Sequence, residues 1–178
     1  MTERAEIYVT LRNFLQLCAS KLNSCGIRIR EGPPGPAVCT PLAGVEMEAL
    51  TGRRIVLIDD EPGVLKALTL LLQTLGCEVM AFPGPTEALA YLKAGIDADL
   101  ILSDQRMPGL VGSELFKALR AHAINTPFVL MSGHAGEAEV EEVLRAPDTA
   151  YLAKPFTPIS LFSAAEAALG RTRRAKAI

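Results

Sequence analysis

The chain has 178 residues, of which 49% are hydrophobic and 5% aromatic, and its formal net charge is −2. This length suffices for one well-buried domain, and the near-neutral charge gives no reason to expect nucleic-acid binding. No apolar run approaches the roughly 18 residues of a membrane span, and the N-terminus does not read as a signal peptide. The four cysteines show neither metal-binding spacing nor partner histidines, which favours reduced thiols in a cytoplasmic protein.

Residues 1–52 differ in sequence pattern from the rest of the chain and form a predicted N-terminal extension. Apolar residues at helical spacing predict a helix from about Ala5 to Leu22, and alternation predicts a short strand over Ile27–Arg30. Clustered prolines and glycines over 32–36 then exclude regular structure. Leu42–Leu50 can add a short helix before a boundary at Thr51-Gly52. We therefore expect a short helix-strand extension and a Pro/Gly-rich linker.

From residue 53 onward, apolar strands alternate five times with amphipathic helices. The predicted strands are Ile55–Ile58, Cys77–Phe82, Leu100–Ser103, Phe128–Met131 and Ala150–Ala153. The predicted helices run from Pro62 to about Leu75 and over Pro85–Lys93, Gly112–Ala121, Gly136–Arg145 and Pro158–Leu169. This alternation predicts an α/β fold whose parallel sheet is covered on both faces. Five strands fit the doubly wound, flavodoxin-like order 2-1-3-4-5 for residues 53–170, followed by a basic tail over 171–178.

Acidic residues follow two strands that are neighbours in the predicted order. Asp59 and Asp60 come directly after the first strand, and Asp104 follows the third strand, before the turn at Pro108-Gly109. Asp is common in turns, so Asp104 alone would not indicate a site. The carboxyl ends of parallel strands meet at one edge, however, and carboxylates so close together call for a cation. Mg²⁺ is the expected ion, because it takes few carboxylates and completes its shell with water and phosphate oxygens.

Two further strand ends bring a hydroxyl and a cation to the same edge. Ser132 follows the fourth strand and Lys154 follows the fifth. Asp104 is then placed to act as a carboxylate nucleophile that takes a phosphoryl group as an acyl phosphate. Mg²⁺ and Lys154 would neutralise charge during transfer, and Ser132 would hydrogen-bond a phosphoryl oxygen.

Residues 53–170 resemble the response-regulator receiver domains of two-component signalling. Asp59 and Asp60 match the acidic pair of that family, and Asp104 matches its phosphoacceptor. Ser132 matches the switch hydroxyl, and Lys154 with Pro155 matches the lysine–proline pair. The turn at Pro108-Gly109 matches the turn after the acceptor.

The resemblance also implies roles that the residues alone do not suggest. It implies a metal shell of Asp60, Asp104 and the backbone carbonyl of Arg106, with Asp59 acting through water. It implies that Tyr151 is an aromatic switch. Arg106 and His134 stand at positions that tune the lifetime of the phosphoryl group in this family.

The function implied by the resemblance is phosphoacceptance rather than enzymatic turnover, apart from slow self-dephosphorylation. The phosphoryl group would come from a histidine kinase or a histidine phosphotransfer protein. Phosphorylation would alter a face formed by the fourth helix, the fifth strand and the fifth helix. No DNA-binding helix-turn-helix fits after Leu169, so we expect a protein output partner. The N-terminal helix also offers a way to form a homodimer.

Several alternatives remain at the level of sequence. The order of Gly26–Arg30, Pro34-Gly35-Pro36 and Cys39–Leu42 resembles the end of a histidine-kinase ATP-binding domain without its glycine-rich boxes. The chain would then be the receiver portion of a hybrid kinase rather than a free-standing regulator. A metal-dependent phosphatase of the haloacid-dehalogenase kind uses similar groups, but in a different order along its chain. A flavodoxin is disfavoured because the acidic loop after Ile58 would repel an FMN phosphate.

Overall fold

A computed structural model describes residues 50–133 and 138–175, where strands and helices alternate in the predicted order. The strands are β1 (Arg54–Ile58), β2 (Glu78–Phe82), β3 (Leu100–Asp104), β4 (Phe128–Ser132) and β5 (Thr149–Ala153). The helices are α1 (Pro62–Thr74), α2 (Pro85–Lys93), α3 (Gly112–Ala121), α4 (Ala138–Leu144) and α5 (Pro158–Ala175). The predicted alternation of elements after residue 53 is therefore confirmed.

Some predictions fall outside the described residues. These are the helix from Ala5 to Leu22, the strand Ile27–Arg30, the kinase-like segment, His134 and the predicted start of the fourth helix at Gly136. The helix over Leu42–Leu50 is described only at its last residue. Leu50 is 2% exposed and packs in the core with α1, so the packed domain includes chain before the predicted boundary.

The five strands form one parallel sheet in the order β2-β1-β3-β4-β5, as predicted. Ile58 pairs with Ser103 across β1 and β3, and Asp104 pairs with Met131 across β3 and β4. Ser132 pairs with Ala153 across β4 and β5. The strands therefore end at nearly the same level, which brings the residues that follow them to one edge of the sheet.

Helices cover the sheet on both faces, which explains why its central strands are almost wholly apolar. Neighbouring strand residues point to opposite faces, so Ile55 and Leu57 pack with α1 and α5. Val56 and Ile58 pack instead with α2, α3 and α4. All five residues of β3 and of β4 are buried. The edge at which the strands end is therefore supported by a core packed on both faces of the sheet.

The predicted bounds differ most at the last helix, where the prediction of an end at Leu169 was wrong. Gly170 follows the predicted end and is typical of a helix stop, yet α5 continues to Ala175. The residues after Gly170 are mainly arginine and alanine, which have high helix propensity and favour continuation. Part of the predicted basic tail is therefore helical.

Candidate functional site

Asp59 and Asp104 lie side by side at the carboxyl edge of the sheet. Each follows a residue of the paired positions Ile58 and Ser103, so β1 and β3 deliver them at the same level. Asp59 is 1% exposed and Asp104 is 6% exposed. Two carboxylates buried at such close quarters need a compensating cation if both are to stay ionised.

Lys154 supplies that cation. Its Nζ lies 2.8 Å from Asp59 Oδ2 and 2.5 Å from Asp104 Oδ1. Burial lowers the pKa of the Lys154 ammonium, but its hydrogen bonds to Asp104 and Asp59 outweigh burial, and the net pKa is raised. Lys154 is therefore charged at neutral pH. The peptide bond from Lys154 to Pro155 is cis.

The second oxygen of each carboxylate accepts a backbone hydrogen bond. The Arg106 N–H donates to Asp104 Oδ2 at 2.6 Å. The Glu61 N–H donates to Asp59 Oδ1 at 2.9 Å. Both carboxylates are therefore fixed at both oxygens, which leaves them little rotational freedom.

Asp60 and Arg106, the other residues of the predicted metal shell, lie beside these carboxylates in sequence and are exposed. Within residues 50–133 and 138–175, no three His, Cys, Asp or Glu side chains are grouped as a metal site. A magnesium site does not require three, because Mg²⁺ commonly binds one or two carboxylates and keeps several waters.

Ser132 and Tyr151 meet on the neighbouring strands. Ser132 is the last residue of β4 rather than the first residue after it, and it is 2% exposed. Its carbonyl accepts hydrogen bonds from the Lys154 N–H at 2.8 Å and from the Tyr151 hydroxyl at 3.0 Å. Tyr151 is half-buried and packs on the face covered by α2, α3 and α4. Ser132 thus links the lysine and the tyrosine through its backbone.

Two residues near Asp104 were missed by the sequence reasoning. A Cβ on Gly112 would clash with the Asp104 carbonyl oxygen and lie 2.7 Å from Leu130 Cδ1, so the start of α3 packs directly against β3. Gln105 is 4% exposed, and its side chain hydrogen-bonds to Ser113. A weak signal was available, because Val111 before the helix has no side-chain acceptor with which to cap it.

Comparison with known proteins decides the family. Residues 55–166 match the response regulator receiver domain. The chain belongs to this family. The transcriptional regulatory protein FixJ of Azorhizobium caulinodans is 35% identical over 117 residues, which cover 65% of this chain and 54% of FixJ. This chain thus spans about half the length of that FixJ.

Solved receiver structures share the fold. The crystal structure of FixJ-N has a TM-score of 0.60 at 26% identity, and the match covers 67% of this chain and 95% of FixJ-N. The receiver domain of the sensor histidine kinase PA1611 from Pseudomonas aeruginosa PAO1 has a TM-score of 0.58 at 27% identity, with 67% and 99% covered. That receiver has a magnesium ion coordinated in its active-site cleft. The predicted fold and family are both confirmed.

Receiver domains are signalling domains that interact with histidine kinases or phosphotransfer proteins. In the described part of this receiver, no helix combines the length and the apolar character needed to cross a membrane.

Proposed function

We propose that this receiver accepts a phosphoryl group on Asp104 from a histidine kinase or a histidine phosphotransfer protein, in a reaction that depends on Mg²⁺. One observation carries the proposal, namely how Asp104 is held. Its Oδ1 lies 2.5 Å from Lys154 Nζ, and its Oδ2 accepts the Arg106 N–H at 2.6 Å. A carboxylate held in one orientation suits phosphoryl transfer, where catalysis comes mainly from positioning and charge neutralisation.

In the proposed reaction, an oxygen of Asp104 forms a bond to phosphorus while the bond from phosphorus to the donor's imidazole nitrogen breaks. The imidazole keeps the electron pair and takes up a proton. The product is an acyl phosphate on Asp104. Lys154 stands beside the reacting carboxylate and would offset the charge that the phosphoryl oxygens bring. Asp59 keeps the ammonium in place through its own bond to Lys154.

The residues present fit a magnesium ion by the chemistry of their donors. Asp60, Asp104 and the backbone carbonyl of Arg106 would hold it, because hard cations prefer oxygen ligands. Asp59 would act on the ion indirectly through water, as the resemblance to receiver domains implies, while its own oxygens bond to Lys154 and to the Glu61 N–H. When bound, Mg²⁺ supplies charge neutralisation at the transferring phosphoryl group.

Phosphorylation would change an interaction face through Ser132 and Tyr151. A phosphoryl group adds about −1.5 to −2 charge at Asp104 if it resembles other phosphorylated side chains. The Ser132 hydroxyl would bond to it, and the Tyr151 hydroxyl already bonds to the carbonyl of Ser132. We propose that Tyr151 moves with Ser132 and so alters the face of α4, β5 and α5 for a protein output partner. Arg106 and His134 would tune how long the phosphoryl group survives.

The test is phosphorylation by a small donor. Wild-type protein is incubated with acetyl phosphate in Mg²⁺ or in EDTA, beside the Asp104→Asn variant. We expect base-labile phosphate on wild type only when Mg²⁺ is present and none on the variant. The proposal fails if wild type gains no phosphate or if Asp104→Asn gains as much. Repeated turnover of a phosphate ester would instead support the aspartyl phosphatase alternative.

A second proposal concerns the parent protein. A receiver of a sensor histidine kinase, PA1611, has a similar structure, and residues 15–42 resemble the end of a kinase ATP-binding domain. The receiver would then be a portion of a hybrid kinase. An immunoblot of the source cells tests this, because a hybrid kinase would migrate as a protein much larger than 178 residues. A band at the size of this chain would favour a free-standing regulator.

A further inference from the structure

The loop between β3 and α3 is closed by one residue, Gln105. Its backbone carbonyl accepts the Gly112 N–H at 3.0 Å. Its side-chain Oε1 accepts the Ser113 N–H at 2.9 Å, and its Nε2 donates to Ser113 Oγ at 3.2 Å. Gln105 and Ser113 are 4% and 1% exposed. Three hydrogen bonds shielded from water therefore span residues 106–111.

These bonds cap α3. The first amides of a helix have no partner within the helix, and a side-chain oxygen just before the helix usually accepts one of them. Val111 stands at that position and makes no side-chain cap. Gln105 replaces the missing cap from across the loop, since its two oxygens accept the Gly112 and Ser113 amides. Because these groups are buried, losing the acceptor would leave an amide without any partner.

The same closure fixes the peptide group that touches the phosphoacceptor. The peptide group between Gln105 and Arg106 is held at both polar atoms. Its oxygen accepts the Gly112 N–H at 3.0 Å, and its N–H donates to Asp104 Oδ2 at 2.6 Å. The side chain of Gln105 also bonds to Ser113, the residue after Gly112, and so keeps the Gly112 N–H in place.

We propose that Gln105 is a positioning residue for phosphoryl transfer. Its side-chain bonds to Ser113 hold the peptide whose N–H orients the Asp104 carboxylate. This inference rests on the proposed role of Asp104 as the phosphoacceptor. Gln105 acts through the Arg106 amide, because its own side chain is buried and bonds to Ser113.

The experiment compares two variants of Gln105 in the full chain. Gln105→Met keeps the shape of the side chain and removes both hydrogen bonds. Gln105→Glu keeps an oxygen for the Ser113 N–H and can accept the Ser113 hydroxyl. With acetyl phosphate and Mg²⁺, we expect the maximal phosphorylation rate of Gln105→Met to fall about tenfold or more, since small misplacements are costly in such reactions. The half-saturating donor concentration should stay unchanged, and Gln105→Glu should stay nearer to wild type.

A second readout separates positioning from a general loss of stability. A short hydrogen bond to a carboxylate moves an amide proton downfield, so the Arg106 amide resonance reports the contact with Asp104 directly. It should move upfield in Gln105→Met and remain near its wild-type position in Gln105→Glu. Arg120→Leu is the matched control, because Arg120 bonds to Asp148 and to the loop after α3, at the far end of that helix. It should lower stability without changing the Arg106 resonance or the phosphorylation rate.

The outcomes are distinguishable. If wild type and Asp104→Asn behave alike, the acceptor role fails and this inference fails with it. If wild type is phosphorylated on Asp104 and Gln105→Met matches its rate, only the positioning role is overturned. A slow Gln105→Met with an unmoved Arg106 resonance also overturns it. If Gln105→Met does not fold, Ser113→Ala replaces it as the test, because it removes one of the two side-chain bonds. Ser113→Ala must then slow phosphorylation and move the Arg106 resonance upfield, as expected for Gln105→Met.

Discussion

The two ends of the sheet carry their charges differently. At the amino end, arginines form ion pairs with aspartates. They are Arg53 with Asp99 at 2.9 Å, Arg54 with Asp97 at 3.5 Å and Arg120 with Asp148 at 2.6 Å. At the carboxyl end, the one ammonium of Lys154 lies within 2.8 Å of two buried carboxylates, those of Asp59 and Asp104.

This difference separates charges that hold the fold together from the charges of the proposed phosphorylation site. Arg120 illustrates the structural kind, since it also donates to the carbonyls of Ile124 and Thr126 and lies 4.4 Å from the centroid of the Phe116 ring. The charge of Arg120 is paired with a carboxylate, and its guanidinium donates hydrogen bonds to carbonyl oxygens. At the carboxyl end, one ammonium faces two carboxylates, so a negative charge remains that favours the binding of another cation.

The largest expected effect follows from removing the shared cation. In Lys154→Met, the phosphorylation rate should fall about 100-fold, because a charge aimed at the transition state is lost. The free energy of unfolding should also drop by about 3 kcal/mol, since two buried carboxylates lose their partner. Acetyl phosphate kinetics and urea unfolding measure the two effects.

Lys117→Met is the control for that change. Lys117 forms an ion pair with Glu142 at 2.7 Å, but the two side chains are 48% and 55% exposed. Exposed pairs contribute little to stability, so neither measurement should change noticeably. Equal losses in both lysine variants would show that the carboxyl end is not electrostatically special.

A smaller effect is expected from Gly112→Ala, which tests how tightly α3 packs against β3. The added Cβ would meet the Asp104 carbonyl and Leu130, and overpacking of this kind costs about 1–3 kcal/mol. Urea unfolding should show that loss, and phosphorylation should slow because β3 must move. Gly63→Ala in α1 is the matched control, since its Cβ meets nothing within 4 Å. If both alanine variants unfold at the wild-type midpoint, the close contact at Gly112 is refuted.

The smallest effect concerns the amino end and depends on pH. Burial raises the pKa of Asp99, but hydrogen bonds from the Arg54 N–H and the Arg53 guanidinium lower it by more than burial raises it. The net pKa therefore lies below its ordinary 3.8. Its contribution to stability is therefore present above pH 3.8 and is lost as the pH falls through the folded pKa. Asp99→Asn should cost about 1 kcal/mol at pH 7, and the difference from wild type should vanish in acid.

Unfolding curves across pH measure this, and Lys154 provides the contrast. The pKa of Lys154 is raised above 10.5, so its charge is present at neutral pH and its contribution is lost as the pH rises through the folded pKa. A difference between Asp99→Asn and wild type that persists in strong acid would mean that the Asp99 charge is not what stabilises the amino end.

The sequence was sufficient to predict the fold and the edge where the site lies. Apolar runs such as Leu100–Leu102 are typical of strands buried on both faces, and the runs of β1, β3, β4 and β5 each lead to a polar residue. Once the strand order is known, the carboxyl ends of the strands must meet. Asp59, Asp104 and Lys154 can therefore be placed at one edge of the sheet without any knowledge of side-chain contacts.

The sequence was not sufficient for features that depend on tertiary contacts. Gln105 caps a helix that starts seven residues later, and no local pattern pairs a glutamine with a serine across a loop. The simultaneous ion pairing of Lys154 with two carboxylates depends on side-chain geometry. Gly112 looked like an ordinary helix start, because its close approach to β3 is visible only in three dimensions.

The bond between Lys154 and Asp59 joins residues 95 positions apart in the chain. Contacts between distant positions form late in folding, because the closure of a long loop must be completed before they can add stability. The charge cluster of Asp59, Asp104 and Lys154 would therefore be complete only after β5 has joined the sheet. A partly folded chain or one released early from the ribosome would lack the lysine, so competence to receive a signal would coincide with completion of the fold.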